Sequence, residues 1–136
     1  MFCDIIAGRT SASVVHRDER CMAFMDIRPV TPGHLLVVPL AHASSLAHLD
    51  PATGGHLFVV AQKLATAIRQ SGLKADGINL YLADGEAAGQ EVLHVHLHVF
   101  PRFAGDGFGL RLPREYGEPV PQERLEREAA AITTAL

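Results

Sequence analysis

The chain has no apolar run near the roughly 20 residues needed to cross a bilayer, and its first residues, "MFCDIIAGRT", lack the basic start and long apolar stretch of a signal peptide. Those two absences point to the cytoplasm and away from a membrane partner. Cationic residues are not in excess: 12 Lys and Arg stand against 15 Asp and Glu, a formal net charge of -3. A surface that coats a nucleic acid polymer usually shows clustered Lys and Arg, so that class is excluded while a single nucleotide is not. Only two cysteines occur, Cys3 and Cys21, too few for a disulfide scaffold. Aromatic residues are scarce, and no repeat, low-complexity tract or linker interrupts the 136 residues. What remains is one globular domain long enough to bury a core.

The pattern of elements predicts an α+β fold with an antiparallel sheet of about five strands, one long helix and a C-terminal helix. "CDIIAG" reads as a short helical turn closed by Gly8. "SVVH" and "CMAFMD" read as two strands joined by the polar turn "RDER". Pro29, Pro32 and Gly33 break the chain before "HLLVVP", a mostly apolar run that suits a central strand. Asp50 can cap a helix that begins at Pro51, with Leu57, Val60, Ala61, Leu64 and Ile68 at helical spacing until Ser71-Gly72. "INLYLA" alternates into another strand, and the glycine-bearing loop "DGEAAGQ" follows. Pro121 opens a last helical stripe of Leu125, Ala129, Ile132 and Leu136. Strands joined by short turns, with one long helix over a face, make this sheet antiparallel.

Residues 94 to 100, "HVHLHVF", carry the chemistry. Alternation on a strand puts His94, His96 and His98 on one face and Val95, Leu97 and Val99 on the other. Histidine serves proton transfer, covalent attack and metal binding near neutral pH. A catalytic zinc needs three protein ligands and often a carboxylate to orient one of them, and no fixed carboxylate partner is evident. For attack at phosphorus, one ring nitrogen attacks, the other is held by a carbonyl, and neighbouring donors stabilise the charged oxygens. A central histidine flanked by two others fits that arrangement.

"GQEVLHVHLHVFPR" resembles the His-x-His-x-His-x-x signature of the histidine-triad (HIT) family, in which x is hydrophobic. The likeness extends through "FCDIIAG", "AFMDIRPVTPGHLLVVP" and "LAH" in register, covering a core of about residues 2–103, with 104–136 as a C-terminal extension of a single domain spanning 1–136. The resemblance implies the HIT-like fold and a homodimer whose sheet continues across the interface. It also implies a nucleotide hydrolase or transferase acting at the α-phosphate of purine nucleoside phosphoramidates, adenylates or dinucleoside polyphosphates. By the same resemblance His96 is the nucleophile that forms a nucleotidyl-imidazole intermediate. His98 donates to the phosphate or bridging oxygen, and His94 orients the cluster with His42. Phe2, Ile5, Phe24 and Ile27 line the base cleft, Asp26 accepts from the ribose hydroxyls, and Gly89 and Gln90 let the backbone approach phosphate.

The motifs sit closer to the Hint-like branch, a phosphoramidase or adenylate hydrolase, than to the Fhit-like dinucleoside polyphosphate hydrolases. A nucleotide-binding protein with little turnover is the third reading. Ala83 stands where Hint-like relatives usually carry Asn, and Glu91 where some carry Ser or Thr, so a polar contact near the leaving group is missing. Many bacterial relatives pair two cysteines with the equivalents of His42 and His94 around a structural zinc. Here only Cys3 matches, and its partner would precede Met1. The expectation is that no cofactor is required and that Cys3, His42 and His94 hold zinc weakly at most. His16, His34, His48 and His56 have no matching partners in the sequence and read as structural or solvated.

Overall fold

The computed structural model describes residues 1–136. The elements follow in the order α1 (Phe2–Ile6), β1 (Val14–Arg17), β2 (Cys21–Met25), β3 (Leu35–Pro39), α2 (Pro51–Gln70), β4 (Gly77–Tyr81), β5 (Leu97–Arg102) and α3 (Gln122–Ala135), with short 3-10 turns at Leu46–His48 and Glu86–Ala88. The five strands form one antiparallel sheet in the order β1-β2-β3-β5-β4. The run "LLVVP" is therefore central, and its residues are buried on both faces. That is why it reads as continuous apolar sequence without alternation.

Side-chain alternation divides the core into two layers. Cys21 and Ala23 of β2, Leu35 and Val37 of β3, and Leu97 and Val99 of β5 face α2, where Leu57, Val60, Ala61, Leu64 and Ile68 cover them. The stripe read from the sequence is the stripe that packs. Each fully buried aliphatic chain of this layer contributes about 1.5–3 kcal/mol, so the α2 side is the stable platform of the fold. Asp50 caps α2 by accepting the Thr53 N–H at 3.2 Å. On the opposite face Met22, Phe24, Leu36 and Val38 form a smaller layer under Phe2 of α1. This second face carries the histidines.

Two elements differ from the sequence reading. The ladder of β5 begins at Leu97, so His94 and His96 precede the paired strand rather than lying in it. The alternation nonetheless holds through the approach, because the Val95 N–H donates to the Ala43 carbonyl at 2.7 Å and its side chain joins the α2 layer. The stripe on α3 is present, but none of that helix's residues is buried, and Leu125 and Ile132 lie exposed. Helix α2 also leaves Phe58 and Val59 exposed on its outer side. No helix is long and apolar enough to cross a membrane.

Candidate active site

A cleft of about 250 Å³ opens on the α1 side of the sheet. Phe2, Ile5, Phe24, Asp26, Ile27, Gly89, His96 and His98 all line it. These are eight of the residues named from the sequence. Phe2 sits edge-on to His96, with ring centres 5.2 Å apart, and edge-on to Phe24 at 5.6 Å. Helix α1, though only five residues long, thus presses an aromatic wall against the central histidine.

The donor inventory fixes the proton positions in this site. A carbonyl only accepts, so the 2.7 Å contact between His96 Nδ1 and the His94 carbonyl requires an N–H at Nδ1. Neutral His96 then keeps an unprotonated Nε2 as its second nitrogen. His94 is held in the opposite sense: its Nε2–H donates to the Pro39 carbonyl at 2.9 Å. Burial pushes the His94 imidazolium down in pKa, with His42 and His96 nearby adding to the shift. The neutral ring is therefore favoured, with its Nδ1 lone pair turned away from the cleft.

His98 belongs to a longer relay that sequence reasoning missed. The Val30 N–H donates to His34 Nδ1 at 3.0 Å, so neutral His34 carries its proton on Nε2. That Nε2 lies 2.9 Å from His98 Nδ1. His98 must then accept at Nδ1 and carry its own proton on Nε2. Burial first, then the neighbouring His96 and His34, pushes the His98 pKa down to about 4, which keeps the ring a neutral donor. Of the two readings the sequence allows for His34, structural or solvated, the structure excludes the second: His34 is buried and aligned with a triad member. His34 immediately precedes β3, the strand that pairs Leu36 with His98, and the sequence carries no local signal of that pairing.

Asp26 lines the cleft with one oxygen committed. Its Oδ1 accepts the Arg28 N–H at 2.8 Å, and its Oδ2 lies 3.6 Å from His34 Nε2. The carboxylate therefore both shapes the turn and faces the relay. Gln90 stands apart from the cleft. Its amide spans Ser44 O, Val92 O and the Gly85 N–H at 2.8–3.0 Å, so all of its side-chain groups brace the loop. Gly89 needs its positive φ of 94° there, and Tyr81 supports the same loop by donating to the Ala88 carbonyl at 3.1 Å. Tyr81 also lies opposite His98 across the sheet, a second residue the sequence reading did not single out. Ala83 is buried, and Glu91 is an exposed residue at the lining of the cleft.

Behind His94, Cys3 Sγ lies 3.6 Å from His42 Nδ1 and 3.7 Å from His94 Nδ1, and the two imidazole nitrogens are 3.2 Å apart. Donors around a tetrahedral zinc with bonds of about 2.0–2.3 Å are separated by roughly 3.3–3.7 Å. The three atoms fit three corners of such a site. His16 and His56, also read as structural or solvated, both bond to Asp18 on the other face of the sheet.

A model of the HIT domain matches residues 7–105. The protein called "Protein hit" of Bacillus subtilis (strain 168) is 41% identical over 137 residues, covering 100% of this chain and 93% of its own. A HIT family protein from Bacillus anthracis superposes with a TM-score of 0.90 at 39% identity, covering 100% of this chain and 96% of that one. A zinc-bound histidine triad family protein from Mycobacterium smegmatis superposes with a TM-score of 0.77 at 41% identity, over 99% of this chain and 96% of that one.

Proposed function

The chain belongs to the HIT domain family, and on that premise we propose that it hydrolyses purine nucleoside phosphoramidates or adenylates at the α-phosphorus through a nucleotidyl-His96 intermediate. The observation that carries this reading is the 2.7 Å bond from His96 Nδ1–H to the His94 carbonyl. It leaves Nε2 as the free nucleophilic atom and stabilises the positive charge that develops on the ring as that atom attacks.

In the first step a bond forms between His96 Nε2 and phosphorus while the bond to the leaving group breaks. The leaving group departs with the bonding pair and takes a proton from water. His98 Nε2–H donates to the phosphate or the bridging oxygen, where negative charge accumulates. In the second step water attacks phosphorus, the N–P bond breaks, and the nucleoside monophosphate leaves with His96 restored. Phe2, Ile5, Phe24 and Ile27 are assigned to the base and Asp26 to the ribose diol, which its free acceptor capacity suits. Gly89 is assigned to the phosphate approach. Gln90 is retained only as the brace of that loop.

Where zinc is bound, Cys3, His42 and His94 would hold it, and it would cross-link α1 to the segment that carries His94. The same reading includes a homodimer. It is supported by the free outer edge of β4, by Phe58 and Val59 exposed on α2, and by the uncovered stripe of α3. A cytoplasmic location is supported by the two free thiols.

Steady-state rates on adenosine phosphoramidate and on diadenosine polyphosphates test the substrate class. Higher kcat/KM on the phosphoramidate supports the proposal. Preference for the dinucleotide would instead favour the polyphosphate hydrolase, and AMP binding without turnover of either would leave a binding protein.

A further inference from the structure

Register places one row of side chains across the cleft face of the sheet. Phe24 of β2 pairs with Leu36 of β3, Leu36 with His98 of β5, and His98 with Tyr81 of β4. Residues paired in this way share a face. The base wall therefore stands at one end of the row, the donor histidine in its middle, and Tyr81 at the free edge. Tyr81 is not among the residues that line the cleft, but it reaches two that are, His98 and Gly89.

The first contact is made by the ring, whose centre lies 5.7 Å from that of His98 at an inclination of 58°. The His34 ring stands 5.1 Å from His98 on the β3 side, and the His96 ring stands 4.9 Å away. Of these three neighbours only Tyr81 comes from the edge strand, the side from which water would otherwise reach the imidazole. Sheet pairing along the β4 edge would use backbone groups and leave the ring on the cleft face. The second contact is made by the hydroxyl. It donates to the Ala88 carbonyl at 3.1 Å and lies 3.5 Å from the point that a Cβ on Gly89 would occupy. Gln90 braces the same loop through Gly85, Ser44 and Val92, whereas Tyr81 ties it to β4.

We propose that Tyr81 is a positioning residue for the reaction at phosphorus: its ring holds the His98 imidazole from the β4 side while its hydroxyl holds the Gly89 turn at a fixed distance from that donor. This rests on the assignment of His98 and Gly89 to the phosphate. The two come from separate parts of the chain, and they serve one phosphate only if their separation is set before substrate arrives. The ring also keeps water from His98, whose pKa is depressed to about 4 by burial first, then by His96 and His34, against the opposing pull of Asp26. Because Tyr81 lies outside the cleft that takes the nucleoside, its influence falls on kcat rather than on nucleotide affinity.

Tyr81→Phe keeps the ring and loses the Ala88 bond, and Tyr81→Ala loses both. The residue is 43% exposed on an edge strand, so both variants are expected to fold, which circular dichroism verifies. The His98 titration is followed by NMR on protein with isotope-labelled histidine, its signal identified by its loss in His98→Asn. Its midpoint should rise by about one pH unit in Tyr81→Ala and stay nearly unchanged in Tyr81→Phe. With adenosine phosphoramidate, kcat should fall about 10- to 100-fold in Tyr81→Ala and about threefold in Tyr81→Phe, while KM and AMP affinity change less than about twofold. An unchanged His98 midpoint in folded Tyr81→Ala overturns the proposal. So does a loss confined to KM, or a kcat that the alanine variant leaves intact. If the unmodified protein binds AMP and turns over no phosphoramidate, the hydrolase reading fails, and the NMR comparison still decides whether Tyr81 holds His98.

Discussion

His34 Nε2 stands 2.9 Å from His98 Nδ1, and because His34 Nδ1 already accepts the Val30 N–H, the bond runs in one direction, from His34 to His98. That direction leaves the His98 proton on Nε2. The residue just before β3 therefore sets the tautomer of a histidine on β5.

His34→Ala is expected to lower kcat by about 10- to 100-fold, the equivalent of one oriented hydrogen bond in a partly buried site. KM should change little, since His34 acts through His98. His34→Gln can still donate from a side-chain amide and should recover part of the loss. Equal damage by Ala and Gln, confined to stability, would mean that His34 only packs.

Acid should destabilise the native state through the same residues. Burial depresses the pKa of His34, His94 and His98 below the ordinary histidine value of 6.5, His98 to about 4. In the unfolded chain these rings take up protons as pH falls below about 6.5, while the folded ones resist. Stability is thus fully present above pH 6.5 and declines as pH drops toward 4. His98 alone contributes on the order of 2 kcal/mol to that decline after allowance for its partial exposure. Urea midpoints measured across this range check the sign. The slope should flatten in His98→Asn.

Much of this arrangement was legible in the chain. Asp50-Pro51 and the apolar spacing to Ile68 located α2 and its buried face, because a cap and a 3.6-residue period are local properties. The cleft residues came from spaced motifs, and eight of them line one cavity. The relay was not legible, since His34 and His98 are 64 residues apart and meet only through the β3–β5 pairing. The bracing role of the Gln90 side chain was not legible for a related reason: adjacency to Gly89 does not say which way an amide turns. His56 likewise finds Asp18 only when α2 packs on the hairpin.

Chelation should leave turnover largely intact, within about twofold, because the proposed bond making at phosphorus uses His96 and His98. The zinc-fitting atoms of Cys3, His42 and His94 lie behind the reacting face. Steady-state assay before and after exhaustive chelation, with metal content measured alongside, checks this. Activity abolished by chelation and restored by one equivalent of Zn²⁺ would assign the chemistry to the metal.

Sedimentation at micromolar concentration should give a dimer. An isologous contact that pairs the free β4 edges and covers Phe58 and Val59 would remove an exposed sheet edge and apolar surface together. Val59→Glu, which puts charge on that surface, should shift the protein toward monomer without altering its circular dichroism. A monomer in the unmodified protein at these concentrations would count against the contact.

The covalent intermediate is the central claim, and rapid chemical quench with labelled nucleoside phosphoramidate tests it most directly. The unmodified enzyme should yield an acid-labile nucleotidyl adduct within the first turnover, and peptide mapping should place it on His96. His96→Asn spares Val95, Leu97 and Val99 on the core face, so it should fold and bind AMP while forming no adduct and losing several kcal/mol of transition-state stabilisation, about tenfold in rate for each 1.36 kcal/mol. An adduct mapped to another residue, or near-normal turnover by folded His96→Asn, would contradict the mechanism.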